Sequence, residues 1–486
     1  MASNQIPWPM QAMPGRRPGE GQGDLCNGYA LKIGDIIQIR RTPGLVRYHT
    51  LADTVARVPR GMHATPSRLF HVWDDEILCL NTSGVAIPIT GMTTLPGMQR
   101  VTMAHNNRDE GAELAIVTDG DAYLLNLTTN ALAAYPDPMD MLNNVGSVEY
   151  FAGYFIFTRA DGYLVASDLE NSEIIDLSMA KASASADTLL RTKSMQAMLL
   201  AFGSMSTEVW IDVATAPFPL QRQTVIDVGL LGRWCVAGGT NEWERGVFFV
   251  ANDYTVRQMQ GLVPRIVSTD DVAQDIYGCR SMPDDIVAQV YSFEQQAVFS
   301  ITCPSMGWTW EYNTSTEQWH RRESYDQLYW RGTSATHFNN RWYVQDFNEA
   351  KIFEVKQGVY HEDGDRMRFL CESAPMKTFP ASVRIPSIEI DCSVAIGKLN
   401  VPSPYETDPA IMVSWSHDGG ATWSNPLQRS LGRLGRYGTL VTVRNLGRST
   451  HHGTRIRVEA TDPVPVVIQG GIARNVSPSR PRQVYR

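Results

Sequence analysis

The sequence contains no long hydrophobic run. No segment reaches the ~18 consecutive apolar residues that a membrane-spanning helix needs. The first 24 residues, MASNQIPWPMQAMPGRRPGEGQGD, also lack the apolar stretch of a signal peptide, so we expect no export signal. They are rich in Pro and Gly and predict an extended N-terminal arm, for which composition alone leaves a disordered tail as the alternative.

Patterns for metal, disulfide or cofactor chemistry are also missing. The seven cysteines are scattered and form no C-x-x-C pair, so we expect reduced thiols buried as small apolar groups. There is no H-E-x-x-H, no G-K-[ST] and no G-x-G-x-x-G between a strand and a helix. His451 and His452 are sequence neighbours, which would point to opposite faces of a strand and make a poor chelate. We therefore predict neither a metal ion nor a cofactor.

Helical periodicity is nearly absent. Only PDPMDMLNNV and STDDVAQDIYG are typical of a helical turn or two. Between about residues 55 and 360, short alternating strands separated by turn residues form small meanders that start roughly 40 residues apart, the spacing of propeller blades. Both faces of a meander are apolar, as in YFIF and WTWEY, and only radial stacking covers both. A run of sandwich domains is the alternative and would require longer Greek-key connections.

The spacing and length of the predicted strands change after the turn-rich segment HEDGD. From Arg368 to about Val476 the strands are longer, and polar and apolar residues alternate as in a sheet with one solvated face. The sequence thus predicts an all-β protein with an extended N-terminal arm (1–40), a β-propeller of six or seven blades (41–365), a C-terminal β-sandwich-like domain (366–475) and a flexible basic tail (476–486).

One motif in the C-terminal domain is specific. Residues 414–424, SWSHDGGATWS, fit the Asp-box pattern S-x-D-x-G-x-T-W. In such a turn the carboxylate accepts backbone N–H groups, the glycines allow positive φ, the threonine hydroxyl closes the loop and the tryptophan folds over the hairpin. All of these roles are structural. The predicted turn residues are Ser416, Asp418, Gly420, Thr422 and Trp423.

The Asp box raises the question of a glycan-cleaving enzyme. Val383-Arg384-Ile385-Pro386 is similar to the Arg-Ile-Pro motif of sialidases, in which the arginine holds the substrate carboxylate. Only about 100 residues and a single Asp box follow Arg384, whereas nearly the whole propeller follows that motif in those enzymes. We therefore predict no catalytic residue and keep a sialidase-like glycan hydrolase or glycan-binding propeller as the alternative.

The charge of the chain is unevenly distributed. The net charge of −8 argues against the whole protein gripping nucleic acid through phosphates. From Arg429 to Arg486, however, there are eleven arginines against Glu459 and Asp462. This region is interpreted as a solvated sheet face or a contact with an acidic partner, with a polyanion-binding patch as the alternative. The candidate contact residues are Arg433, Arg436, Arg444 and Arg448.

Several stretches carry a family resemblance. They are RTPGLVRYHT, RGMHATPSRLFHVWDDEILCL with its Arg60-Gly61 turn, LLAFGSMSTEVW (Leu199–Trp210), the segment SWSHDGGATWSNPLQRSLGRLGRYGTLVTVRNLGR, and DPVPVVIQGGIA. Together they resemble the tail hub or nozzle proteins of short-tailed bacteriophages, also called packaged-DNA stabilisation proteins. The resemblance extends from about residue 40 to residue 473, and its C-terminal motifs are the most specific part.

The resemblance implies a structural virion protein of the phage tail that is not an enzyme and is assembled in the host cytoplasm. It implies a homo-hexameric ring below the portal and its head-to-tail adaptor ring, surrounding the DNA exit channel and carrying tail spikes or fibres and a plug or needle. An acidic protein suits this role, because double-stranded DNA slides past a surface that repels it without sequence-specific binding.

Overall fold

A computed structural model of the protein describes residues 2–34, 36–50, 57–108, 112–182, 187–239, 243, 245–399, 401 and 403–479. Its helical elements are two short α-helices and two 3-10 turns. They are α1 (Asp270–Gly278), α2 (Pro404–Thr407), Pro283–Asp285 and Pro304–Met306. Helix α1 confirms the prediction for STDDVAQDIYG, whereas PDPMDMLNNV forms turns, because the Asp137 carboxylate accepts the amides of Met141 and Leu142.

Five strands precede the first blade. They are β1 (Ala2–Gln5), β2 (Asp24–Cys26), β3 (Gly28–Ile33), β4 (Ile36–Arg41) and β5 (Gly44–Thr50). The next strands form antiparallel meanders. Blade one holds β6 (Pro59–Thr65), β7 (Arg68–Trp73), β8 (Glu76–Asn81) and β9 (Ala86–Ile87). Blade two holds β10 (Thr90–Gly91) at its outer edge, β11 (Thr102–His105), β12 (Glu113–Thr118), β13 (Asp121–Asn126) and β14 (Ala131–Ala134).

The middle blades follow the same order. Blade three holds β15 (Val145–Phe151), β16 (Tyr154–Arg159), β17 (Tyr163–Ser167) and β18 (Ile174–Lys181). Blade four holds β19 (Leu189–Met195), β20 (Met198–Gly203), β21 (Thr207–Asp212) and β22 (Leu220–Ile226). Blade five holds β23 (Val236–Gly238), β24 (Val247–Val250), β25 (Val256–Gln260) and β26 (Val263–Ile266).

The last blades lead into the C-terminal domain. Blade six holds β27 (Val287–Phe293), β28 (Gln296–Cys303), β29 (Trp308–Asn313) and β30 (Gln318–Arg321). Blade seven holds β31 (Gly332–Phe338), β32 (Arg341–Asp346) and β33 (Lys351–Lys356), and its sheet continues through β5 to β34 (His361–Glu362) and β35 (Asp365–Arg366). The final strands are β36 (Phe369–Glu372), β37 (Ser382–Cys392), β38 (Ala410–Ser416), β39 (Leu427–Ser430), β40 (Val441–Arg448), β41 (Arg455–Ala460) and β42 (Val467–Ser479).

Seven blades therefore form the ring within the described residues, and the propeller followed by a sandwich confirms the predicted fold class. The hydrophobic clusters lie between blades, as the two-sided apolar meanders require. Phe70 and Val72 of blade one pack with Ile116 of blade two, and Tyr343 of blade seven packs with Leu69 of blade one. Each blade thus buries its flanks against its two neighbours.

The ring is closed by a strand from the other end of the propeller sequence. Strand β5 supplies the fourth strand of blade seven and pairs antiparallel with β33, from Gly44 opposite Lys356 to Thr50 opposite Lys351. Because this pairing ties the first propeller residues to the last, the blades cannot separate without breaking a ladder of backbone hydrogen bonds.

The C-terminal domain contains two sheets and includes the N-terminal segment. One sheet has the order β3-β4-β42-β37-β40, with β1 also on β42. The other runs from blade six through β30-β2-β36-β41-β38-β39. The segment predicted as an arm over 1–40 contains four strands, and its Leu25, Ala30 and Ile39 are buried in the core. We propose counting these strands with the sandwich. Of the predicted tail, residues 476–479 lie in β42, and 480–486 lie outside the described residues.

Candidate assembly interface

The Asp box forms a turn closed on itself after β38. Ser416 Oγ donates to Asp418 Oδ1 at 2.7 Å and accepts the amide of Gly420 at 2.8 Å. The amide and hydroxyl of Thr422 donate to the two carboxylate oxygens of Asp418 at 2.9 and 2.6 Å. Gly419 and Gly420 have φ of +76° and +108°, a backbone region that favours glycine.

The electrostatics of Asp418 follow from those hydrogen bonds. Partial burial alone would raise the pKa of its carboxyl, but the hydrogen bonds from Thr422 and Ser416 outweigh it and lower the pKa to about 2. The side chain is therefore ionised at neutral pH, and both of its oxygens are used within the turn. This arrangement suits a structural turn and leaves Asp418 poorly placed for proton transfer to a substrate.

The Asp-box turn also contacts the N-terminal segment. The amide of Gly19 donates to the carbonyl of Gly419 at 2.9 Å, and Arg455 donates to the carbonyl of Glu20. Trp423 is partly buried, and the guanidinium carbon of Arg457 lies 3.6 Å from its ring centre. The tryptophan thus covers the hairpin through a cation–π contact.

Two of the candidate arginines lie in the loop between β39 and β40. Arg433 and Arg436 are both exposed, and Arg433 makes an ion pair with Asp408 at 3.2 Å. Between and beside them lie exposed apolar side chains. These are Leu434, Tyr437 and Leu440, exposed by 48, 74 and 62%. Arginine next to exposed aromatic and aliphatic side chains is typical of protein interfaces.

The other two candidate arginines, Arg444 and Arg448, lie exposed on β40. This strand pairs only with β37 and forms one edge of its sheet, so its other side has no ladder partner among the described strands. Arg429 donates to the carbonyl of Thr442 at 2.8 Å and covers part of that side. The loop 433–440 and strand β40 together form one surface, which we call the basic edge.

The features that raised the sialidase question lie on different structural elements. Arg384 is exposed on β37, an interior strand of its sheet, and lies opposite Arg448 of β40. Asp418 lies in the separate turn after β38. Trp308, Trp310 and Trp319 of blade six are buried in the core and offer no exposed platform on which a sugar could stack.

The part of the chain that the structure describes contains no group of three or more His, Cys, Asp or Glu placed to hold a metal ion. All seven cysteines are buried and none forms a disulfide. None of the described helices is long and apolar enough to cross a membrane.

A buried charge network was missed by the sequence reasoning. Arg322 donates to the hydroxyl of Tyr291 and to the carbonyl of Pro43, both at 2.8 Å, and its guanidinium lies 4.1 Å from the ring centre of Trp330. The Tyr291 hydroxyl in turn donates to Glu311 at 2.7 Å. This network joins blade six to the residues that lead into β5. No local pattern signals it, because its members are far apart in sequence.

The comparisons with known proteins agree with the fold. A family model described as bacteriophage P22 Gp10, beta-propeller, matches residues 35–360, and one described as bacteriophage P22 Gp10, beta-sandwich, matches residues 375–475. No curated protein matches the chain significantly. Among solved structures, the chain is similar to the computationally designed Ika8 protein, with 9% sequence identity. The match covers 73% of this chain and 98% of the designed protein, with a TM-score of 0.39, which is too low to identify a shared fold.

The family matches cover well over half of the chain and confirm the resemblance seen in the sequence. The chain therefore belongs to the bacteriophage P22 Gp10 family, the tail hub or nozzle proteins of short-tailed phages, and is a structural protein of the virion tail.

Proposed function

We propose that copies of this chain assemble into a homo-hexameric ring that forms part of the DNA exit channel and anchors tail spikes or fibres. The observation that carries the proposal is the basic edge, with four exposed arginines and three exposed apolar side chains on one surface of the sandwich. A solvated face gains nothing from exposed Leu434, Tyr437 and Leu440, whereas a contact with another protein buries them.

The charge distribution supports a contact between copies. The chain has 43 Lys and Arg against 51 Asp and Glu, and the region after Arg429 is strongly basic, so the acidic excess lies in the residues before it. A basic edge on one copy is then complementary to acidic surface on the propeller side of the next copy. Such a head-to-tail contact closes into a ring when its rotation permits.

The size of the propeller's own channel supports a DNA path between copies. The cavity at its centre is about 200 Å³, and a single water occupies about 30 Å³ in the liquid. A duplex cannot pass through it. The exit channel in this proposal is therefore the central hole of the ring of copies, lined by acidic surface that repels the phosphates.

The proposed role is not enzymatic. Both carboxylate oxygens of Asp418 are occupied within the turn, and Arg384 lies on a different sheet. The partners in this proposal are the adaptor ring on one side and spikes or fibres and a plug or needle on the other, with assembly in the host cytoplasm. The basic edge is the contact surface between copies.

The test is the oligomeric state of the purified chain, alone and with its adaptor ring, by mass photometry and negative-stain imaging. We expect six-membered rings with a central hole. The double variant R433E/R436E should lose them, because reversed charges repel the acidic neighbour. The control R265E changes an exposed arginine of blade five and should leave rings intact. A wild-type chain that stays monomeric with and without the adaptor would refute the proposal, and so would rings that survive R433E/R436E.

A further inference from the structure

We propose that the central channel of the propeller binds one small oxyanion of the phosphate type through Arg100, Arg191 and Arg233. The proposal does not depend on the ring of copies. It rests on a cavity in the channel where cationic side chains from different blades converge, with no carboxylate of the described residues in an ion pair with them.

The topology brings these arginines to one end of the channel. The four-stranded meander of each blade begins with its inner strand, so all inner strands start at the same end of the channel. Arg100 precedes the inner strand β11, Arg191 is near the start of β19, and Arg233 precedes β23. Arg100 and Arg191 line the cavity of about 200 Å³. Arg233 reaches across toward blade three, where a Cβ on Gly146 would lie 3.6 Å from its guanidinium carbon.

Among the described residues, hydroxyl and carbonyl groups supply the hydrogen-bond partners of these side chains, and Glu149 attracts Arg191 from a distance. Arg100 donates to the hydroxyls of Ser334 and Thr333, both at 3.3 Å. Arg191 lies 5.3 Å from the ring centre of Trp234 and donates to the carbonyl of Arg233 at 3.5 Å. Among the described residues, no carboxylate makes an ion pair with any of the three arginines within the 4.0 Å limit.

The other charged groups near the channel have their own partners. Arg60 donates to the carbonyls of Leu95 and Gln99 at 2.9 and 2.7 Å. Lys193 pairs with Glu149 at 3.2 Å. Asp285 attracts Arg100 from a distance, but its carboxylate accepts the amide of Ser305 at 3.1 Å. Glu149 thus neutralises Lys193, and Asp119 lies 3.5 Å from Arg60. The three arginines remain as the excess positive charge, which Asp285 near Arg100 and Glu149 near Arg191 reduce from a distance.

Burial of these positive charges without a bound anion is energetically unfavourable. Burial lowers the pKa of Arg100 to about 10 and also lowers the pKa of Arg191. A bound anion would offset the desolvation penalty of a buried guanidinium group that has no carboxylate partner. Guanidinium groups match tetrahedral oxyanions through paired N–H donors. The cavity of about 200 Å³ has room for one such ion with a few waters.

The experiment uses the full chain, dialysed free of phosphate and sulfate. Thermal unfolding is followed with added phosphate, sulfate or chloride at equal ionic strength, and phosphate binding is measured by calorimetry. We expect phosphate to raise Tm by about 2 °C over chloride at about ten times its Kd. In R100Q and in R191Q the increase should be lost, while Tm without phosphate stays equal or rises, since each removes an unpaired charge. The control R265Q should respond like wild type.

Two results would overturn the proposal. One is an equal effect of chloride and phosphate with no calorimetric binding. The other is a phosphate response that survives R100Q and R191Q while both variants unfold at a lower temperature without anion, because that pattern assigns the arginines a purely structural role. The use of two variants guards against one of them failing to fold.

Discussion

Gly19 donates its backbone amide to the carbonyl oxygen of Gly419 across 2.9 Å, so the first residues of the chain are held directly by the Asp-box turn. A Cβ atom on Gly419 would lie 2.4 Å from the nitrogen of Gly19. The turn therefore requires glycine at this position for two reasons, its positive φ and the proximity of the N-terminal segment.

The G419A variant should release the segment around Gly19. Its matched control is G435A, because Gly435 has a φ of +91° but open space around its Cβ position. The positive φ costs each variant about 1 kcal/mol of backbone strain. Only in G419A does the added Cβ atom clash with a backbone atom. We expect faster proteolysis between residues 15 and 22 in G419A alone, measured by limited digestion and mass spectrometry. Equal cleavage of the two variants would contradict the contact.

The D418A variant should be less stable than wild type by about 1–2 kcal/mol at pH 7, since it removes the acceptor of three hydrogen bonds. The pKa of Asp418 is lowered in the folded state to about 2. Its contribution is therefore complete above the unfolded pKa of about 3.9 and declines as pH falls toward 2. Urea unfolding from pH 7 to pH 2 measures the difference from wild type. A difference that stays constant below pH 4 would count against this account, and D161A, at an exposed ion pair, is the control.

Breaking the buried network at Arg322 should be strongly destabilising. In R322Q the carboxylate of Glu311 loses a buried cation that lies 3.8 Å away, and its negative charge stays in the core. We expect a loss of about 3–5 kcal/mol, measured from guanidinium unfolding. The control R341Q removes an arginine whose side chain is 54% exposed and paired with Glu354, for which about 0–1 kcal/mol is expected. Similar losses in the two variants would show that the network contributes no more than a surface pair.

Because His71 is buried, we expect the protein to lose stability in mild acid. Its ring is buried against Trp73, and neither ring nitrogen has a hydrogen-bond partner among the described residues. Burial lowers its pKa well below the usual value, so the folded state keeps it neutral while the unfolded chain takes up a proton below about pH 6.5. The stabilisation present above pH 6.5 is thus lost as pH falls.

The H71L variant should reduce this loss by about 1 kcal/mol between pH 7.5 and pH 5.5, measured by chemical unfolding at each pH. H451L, which changes an exposed histidine, should keep the wild-type pH dependence. If H71L and wild type lose the same stability over this interval, then His71 is not the titrating group.

The sequence predicted the blades because each one is specified locally. In YFIF, Phe155 and Phe157 are buried on one face of the blade and Ile156 on the other, as the pattern requires. In WTWEY the apolar Trp310 and Tyr312 share one face, and the other face is polar but also buried. The Asp box was predictable for the same reason, since Ser416, Asp418 and Thr422 bond within one short turn.

Contacts between distant segments were not predictable in this way. Strand β5 has no local feature that marks it as the fourth strand of blade seven. The apolar residues of GYALKI and IIQIRR could have been recognised as two antiparallel strands, but the Pro- and Gly-rich composition of the first residues favoured an arm. The channel arginines carry no local signal, because Arg100, Arg191 and Arg233 meet only through the circular arrangement of blades.

The closure of blade seven by β5 has a consequence for biosynthesis. Thr50 and its partner Lys351 are separated by about 300 residues, which a ribosome takes roughly 15–60 s to add. During that interval Leu69, Trp73 and Leu80 of blade one have no Tyr343 or Ile352 to cover them. A nascent chain therefore exposes this apolar flank of blade one until blade seven has been translated, which makes it prone to aggregation during that interval.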